Sequence, residues 1–147
     1  MSETEITVRP ATADDEGAVA ALWQAAGLVV SYNDPTSDFR FARAKSNSDV
    51  LVGVDGAGTI VGSVMVGHDG HRGWLYYVAA DPERRGQGIG RTMTRAAEVW
   101  LTERKIVKAM LMVRETNTQV ADFYRRDGYE TIPRLVMQKW LNRDEDA

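Results

Sequence analysis

Residues Trp74 to Trp100 read WLYYVAADPERRGQGIGRTMTRAAEVW, and this stretch decides how the rest of the chain is arranged. Leu75 to Ala80 is an apolar run of strand type, Asp81-Pro82 ends it, and a glycine-spaced turn leads into sequence of helical period. The first amides of a helix have no intrahelical acceptor and carry about half a positive charge between them. A strand, a glycine turn and a helix start therefore form an anion site. Gly86, Gly88 and Gly90 remove side chains at alternate positions, so the backbone can approach a bulky anion closely. Arg84, Arg85 and Arg91 add mobile positive charge beside it. The ligand should carry a phosphate or pyrophosphate.

Two familiar phosphate motifs fail on spacing. A dinucleotide fingerprint needs a third glycine where Arg91 stands and an acidic residue about 20 positions on, where Lys108 to Val113 contains none. A nucleoside triphosphate loop ends in Gly-Lys-Ser/Thr, whereas Gly90 is followed by Arg91-Thr92. A nucleotide-binding domain of either kind is excluded.

The chain of 147 residues is expected to form one domain, 1–147, with a core over about 6–141. Its 18 basic and 21 acidic residues give a net charge of −3, so no overall positive field favours nucleic acid or membrane as partner. The absence of Cys excludes disulfides, thiolate metal ligands and a cysteine nucleophile, and is in keeping with the cytoplasm. No apolar run is long enough to span a bilayer, and Met1 to Pro10 lacks a signal peptide's hydrophobic segment. His68 and His71 read as loop residues; with no cysteine or acidic cluster beside them, no metal is expected.

From the start, Ile6 to Arg9 alternates as a strand. Thr12-x-x-Asp15 looks like a capping box for a helix carrying Val19, Leu22, Trp23 and Ala26 on one face, closed by Gly27. Asp34-Pro35 opens a more polar helix to about Ser46. Val50 to Val54 and Thr59 to Val66 are strands joined by the turn Asp55-Gly56-Ala57-Gly58. The glycine-rich loop Gly67 to Gly73 precedes the central stretch. After it come a strand from Ala109 to Val113, a helix from about Thr118 to Asp127 stopped by Gly128, and two short strands near Tyr129–Ile132 and Leu135–Trp140. The tail from Asn142 to Ala147 is charged and should fray.

Arg85-x-x-Gly88-x-Gly90 after an apolar strand resembles the acetyl-coenzyme A signature of the GNAT superfamily of N-acyltransferases. Asn117-x-x-x-Ala121-x-x-Tyr124-x-x-x-Gly128-Tyr129 is similar to a second motif of that superfamily. The element order agrees over almost the whole chain, and Gly67 to Arg91 looks like the YpeA group of bacterial acetyltransferases in particular. The resemblance implies an α/β (α+β) fold: a mixed, mostly antiparallel sheet splayed at its central parallel pair, with about four helices.

It also implies roles. Acetyl-coenzyme A would be the acyl donor, with its arm beside Val78 and Ala80 and its thioester near Tyr77 to Ala79. The backbone from Arg85 to Arg91, including Gly86, Gln87, Gly88, Ile89 and Gly90, would hold its pyrophosphate. Asn117 and Phe123 would contact the arm, and Tyr124 would protonate the departing thiolate; read by spacing alone, Tyr124 could equally be core. Trp23, Tyr32, Asn33, Asp34 and Arg72 are candidate acceptor contacts, with a packing role equally open for Trp23. The place where many such enzymes carry a glutamate base reads His71-Arg72-Gly73-Trp74, without a carboxylate. Deprotonating an α-amine at neutral pH costs about 1 kcal/mol, against about 4–5 for a lysine amine. The expected acceptor is therefore a small-molecule or peptide amine of low pKa, with Asp69, His71, Glu115 or water relaying its proton. A coenzyme A sensor that has lost catalysis is the alternative. The tryptophan and tyrosine content suggests a homodimer.

Overall fold

A computed structural model describes residues 5–142; beyond its first residue, the charged tail expected from Asn142 lies outside them. The chain divides into two compact units, one ending at Met112 and the other beginning at Val113.

The first unit is a five-stranded sheet with helices on both faces. Strands β1 (Thr7–Pro10), β2 (Ser48–Val54), β3 (Ile60–His68), β4 (Gly73–Ala80) and β5 (Ala109–Met110) lie side by side in chain order. The first four pair antiparallel and β5 joins β4 in parallel. On one face lies α3 (Ile89–Glu103), whose Ile89, Met93, Ala97, Trp100 and Leu101 pack on Leu51, Val64, Val66 and Leu75. On the other lie α1 (Glu16–Ala25) and α2 (Pro35–Ala42), whose Val19, Leu22, Trp23 and Phe39 cover Val50, Val52 and Ala79. Alternation along each strand supplies both cores.

Three strand glycines let α3 sit down on the sheet. A Cβ at Gly62 would lie 2.6 Å from Ile89 Cγ2, one at Gly53 2.8 Å from Met93 Sδ, and one at Gly73 2.5 Å from both Leu101 methyls. These positions are notches for large helix side chains, which a reading of turn propensities does not reveal.

The expected capping box is present: Asp15 accepts from the Thr12 amide at 2.7 Å and also pairs with Arg9 at 2.7 Å. Asp34 caps α2 by accepting from the Thr36 amide. That helix stops at Ala42, four residues short of the expected Ser46. Ser48 Oγ donates to the Ala42 carbonyl, and Ala44, at φ 58°, turns the chain and donates to Asp49. Asp55 closes the β2–β3 turn by accepting from the Ala57 and Thr59 amides.

The second unit contains α4 (Thr118–Arg126), capped at its start by Asn117 and closed by Gly128 at φ 95°. The two strands expected near Tyr129–Ile132 and Leu135–Trp140 are absent from the described residues, and the strand expected over Ala109–Val113 is only Ala109–Met110. Alternating apolar residues there fit a strand, but a strand also needs a partner ladder, and none is formed. Among the described residues β5 is the last strand in the sheet order, next to β4 with which it forms the parallel pair.

Candidate active site

The registry of β3 and β4 slips once. Ser63 faces Ala79 and Met65 faces Tyr76, so Tyr77 and Val78 together oppose the single residue Val64. This is a β-bulge. Tyr77 sits at φ 51°, a left-handed conformation that a tyrosine adopts at a cost of about 1–2 kcal/mol. The extra residue also reverses which side chains face which layer. Leu75 packs toward α3, whereas beyond the bulge Val78 and Ala80 do so and Tyr77 and Ala79 turn toward α1 and α2. The outer edge of β4 opens in the same region, because β5 pairs only with Gly73 and Trp74. From Leu75 to Ala80 that edge has no strand beside it among the described residues.

Packing holds the bulge in place. The Tyr77 ring stacks on Trp23 with centroids 3.9 Å apart and planes at 8°, and its hydroxyl donates to Asp38 Oδ2 at 2.6 Å. Trp23 is fully buried and donates from Nε1 to the buried Ser63 Oγ at 2.8 Å. Trp23 is thus a core residue that braces Tyr77, and its candidacy as an acceptor contact is corrected by that burial.

After β4, Asp81 caps a short turn, Pro82–Arg84, and Gly88 opens α3. Gly86 and Gly88 have φ 81° and 73°, and a Cβ added at either would meet no atom within 4 Å. The space above them is open. The amides of Gly88, Ile89 and Gly90 donate to no protein acceptor among the described residues. Arg85, Gln87 and Arg91 are exposed at this end of the helix. Two expectations change here. Arg84 is not a mobile charge, since it pairs with Asp55 at 2.6 Å and ties the turn to the β2–β3 hairpin. The side chain of Ile89 is buried in the core, so only its amide faces the opening.

A cavity of about 240 Å³ lies on the α2 side of the sheet, among Asn33, Asp38, Phe41, Met65, Tyr76 and Tyr77. Asn33, one of the candidate acceptor contacts, borders it. Tyr32 is exposed, and Asp34 is engaged with Thr36 and Ser37 at the start of α2. Neither lines this cavity. The loop before β4 is organised by Asp69, which accepts from the amides of His71 at 2.9 Å and Arg72 at 2.7 Å. Those bonds, with Arg72's the larger influence, hold the carboxyl below its ordinary range. A carboxylate so engaged is a weaker proton acceptor, the opposite of what a general base needs. His71 is exposed, with Nδ1 3.4 Å from the half-buried Arg72's guanidinium.

In α4, Tyr124 is buried and packs edge-on against Phe123 and Tyr129, at centroid distances of 5.0 and 5.6 Å. Burial pushes its phenol up to about 12, so it is a neutral hydrogen-bond donor across the physiological range. The Asn117 side chain accepts from the Val120 amide. Among the described residues no cluster of three or more His, Cys, Asp or Glu could hold a metal ion, and no helix is long and apolar enough to cross a membrane.

The sequence model of the acetyltransferase (GNAT) family matches residues 17–129. The chain belongs to the GNAT family. An acetyltransferase of Pectobacterium atrosepticum is 38% identical to this GNAT chain over 133 residues, covering 90% of it and 94% of the relative. Solved GNAT-like structures share the fold at low identity. An acetyltransferase of the GNAT family from Staphylococcus aureus superposes with a TM-score of 0.77 at 14% identity, over 88% of this chain and 87% of its own. AAC(6')-Iy, in complex with the bisubstrate analogue CoA-S-monomethyl-acetylneamine, superposes with a TM-score of 0.79 at 13% identity, over 92% and 98%. The mixed sheet with its parallel β4–β5 pair and four α-helices is the GNAT architecture.

Sequence reading missed Asp38 and Ser63, each a single polar residue within an ordinary helix or strand pattern, and the pairing of Asp55 with Arg84. Asp38 lies four residues from its capping neighbour Asp34 and thirty-nine from its partner Tyr77. Only the fold brings that pair together.

Proposed function

We propose that this protein is an N-acetyltransferase that moves acetyl from acetyl-coenzyme A to a primary amine by direct attack in a ternary complex. The observation that carries the reading is the open amide end of α3 at Gly88, following a strand whose outer edge, from Leu75 to Ala80, has no strand beside it among the described residues and whose backbone bulges at Tyr77. The residues present fit the donor. Two left-handed glycines beneath open space, three unpartnered amides and the exposed Arg85 suit a pyrophosphate, and the bare edge of β4 suits an amide-bearing arm as an added strand. When bound, acetyl-coenzyme A would supply an activated thioester.

The protein's own residues do the rest. Amides from Gly86 to Arg91 hold the diphosphate, and the bulged peptides of Tyr77 to Ala79 direct an N–H at the carbonyl oxygen as its charge grows. Asn117 and Phe123 serve the arm, as the motif resemblance assigns. Tyr124 acts as general acid. A phenol near 12 is about 3.5 units weaker than a thiol, or roughly 5 kcal/mol, so it assists by donating a strong hydrogen bond to the developing thiolate and yields its proton only late. Asp69 caps its turn, so proton removal from the ammonium falls to water, with His71 or Glu115 as the side chain to relay it. With no cysteine in the chain, no thiol is available to carry the acyl group.

Chain-to-chain pairing is part of this reading. Leu135, Val136, Met137 and Leu141 are all at least 70% exposed, an apolar run that a second copy of the chain would cover. We place the protein in the cytoplasm, as one GNAT domain without a metal or nucleic-acid partner. A thiol-release screen of acetyl-coenzyme A with amino acids, peptides, polyamines and aminoglycosides tests the activity. Free thiol formed only when an amine is supplied supports the transferase; tight coenzyme A binding without thiol release from any amine would make the protein a sensor instead.

A further inference from the structure

Among the described residues Asp38 is the one acidic side chain lining the cavity beside the bulge, and no lysine or arginine lines it. The carboxylate is half-buried, one oxygen is fixed by the Tyr77 hydroxyl at 2.6 Å, and the other meets no protein donor among the described residues. Aromatic rings of Phe41, Tyr76 and Tyr77 border the same space, with Phe41 83% and Tyr76 42% exposed. The basic residue nearest in sequence, Arg40, is engaged by Glu16 at 2.6 Å and does not neutralise the site. A carboxylate lining an aromatic-walled cavity, with one oxygen still open to a donor, is complementary to an ammonium or guanidinium ion.

The position of Asp38 decides which nitrogen it would hold. Its partner is the far end of the Tyr77 side chain, so the carboxylate stands a full tyrosine's length from the bulged backbone, where the acyl carbonyl is directed in the reading above. A cation at Asp38 therefore lies off the bulged backbone by the length of that side chain, which leaves room for the attacking amine between them.

We infer that Asp38, positioned by Tyr77 and walled by Phe41 and Tyr76, binds a second positive charge on the acceptor, so that the substrate class is amines carrying a further cationic group. This rests on the transferase reading for the placing of the acyl group, but the cation site itself does not. The strained Tyr77 then has two uses: its backbone forms the bulge and its hydroxyl orients the carboxylate.

The test compares the diamine cadaverine with pentylamine, equal in chain length and differing by one charge, in wild type, Asp38→Asn and Phe41→Ala. Asn retains an oxygen for the Tyr77 hydroxyl, and Phe41 is largely exposed, so both variants should fold. Wild type should favour cadaverine in kcat/KM by about tenfold or more, and Asp38→Asn should bring the two amines within about threefold of each other, chiefly through KM. Phe41→Ala should reduce the preference in part. Equal use of both amines by wild type, or an undiminished preference in Asp38→Asn, overturns the inference. If neither amine releases thiol, calorimetry of cadaverine with the coenzyme A-saturated protein decides separately. Binding lost in Asp38→Asn supports the cation site and leaves the transferase reading to the wider amine screen; binding absent from wild type refutes the site.

Discussion

Replacing Gly88 by alanine separates what the turn does for the fold from what it does for a ligand. Gly88 sits at φ 73° as the residue opening α3. An alanine there adopts the left-handed region at a cost of about 1–2 kcal/mol, equivalent in a chain of this size to a fall of roughly 4 °C in Tm. No protein atom lies within 4 Å of the added Cβ, so there is no steric term to add. What that methyl does enter is the open space where the diphosphate would lie. Displacing the anion by the width of a methyl group should weaken at least one charge-assisted hydrogen bond, each contributing about 1.5–3 kcal/mol, and so lower coenzyme A affinity by at least about tenfold.

Gly58→Ala is the matched control. Gly58, at φ 86°, likewise has nothing within 4 Å, but it lies in the β2–β3 turn. Denaturation and isothermal calorimetry on both variants should show similar losses of stability and a loss of affinity confined to Gly88→Ala. Coenzyme A binding within about twofold of wild type in Gly88→Ala, with the expected stability change, would refute the reasoning.

Three other outcomes follow from the geometry. Tyr124→Phe should lower kcat by about a hundredfold while the coenzyme A Kd changes by less than about threefold, as read by steady-state thiol release and calorimetry; parallel loss of both would remove Tyr124 from the proton-donor role. Ser63→Ala should cost about 1–3 kcal/mol in urea unfolding, because it leaves the fully buried Trp23 N–H without its acceptor. The Arg9 hydrogen bond, above all, holds the Asp15 carboxyl down to about 2. Because the folded value lies below the unfolded one, the stabilisation is complete above about pH 4 and disappears as pH falls toward 2. Discounted for solvent, it is worth up to about 1 kcal/mol, and the stability gap between wild type and Asp15→Asn should close across that interval.

The parts legible in the sequence are those written in contiguous residues. The Asp34-Pro35 helix start, the Asp55 turn, the glycine turn before Ile89 and the helix start at Thr118 each depend on neighbours within a few positions, and each occurs where local chemistry placed it. The bulge at Tyr77 was not legible, since an apolar run has no mark for the residue that will lack a cross-strand partner. It arises from a contest between layers, in which Trp23 and Asp38 draw Tyr77 to one face while Val78 and Ala80 are drawn to the other. Arg84 was misread for a related reason. Its charge is obvious in sequence, but Asp55 lies twenty-nine residues away and meets it only when the hairpin folds back. Strand propensity beyond Tyr129 misled in the opposite sense, because alternation is necessary for a strand but the ladder must still be supplied by a neighbour.

Amide NMR of isotope-labelled protein titrated with coenzyme A tests most directly whether the start of α3 grips a diphosphate. The largest chemical-shift changes should fall on the Gly86, Gly88, Ile89 and Gly90 amides, with dephospho-coenzyme A, which keeps the pyrophosphate, reproducing them and pantetheine failing to do so. Saturating coenzyme A that leaves those four resonances in place, or pantetheine that moves them equally, would contradict it.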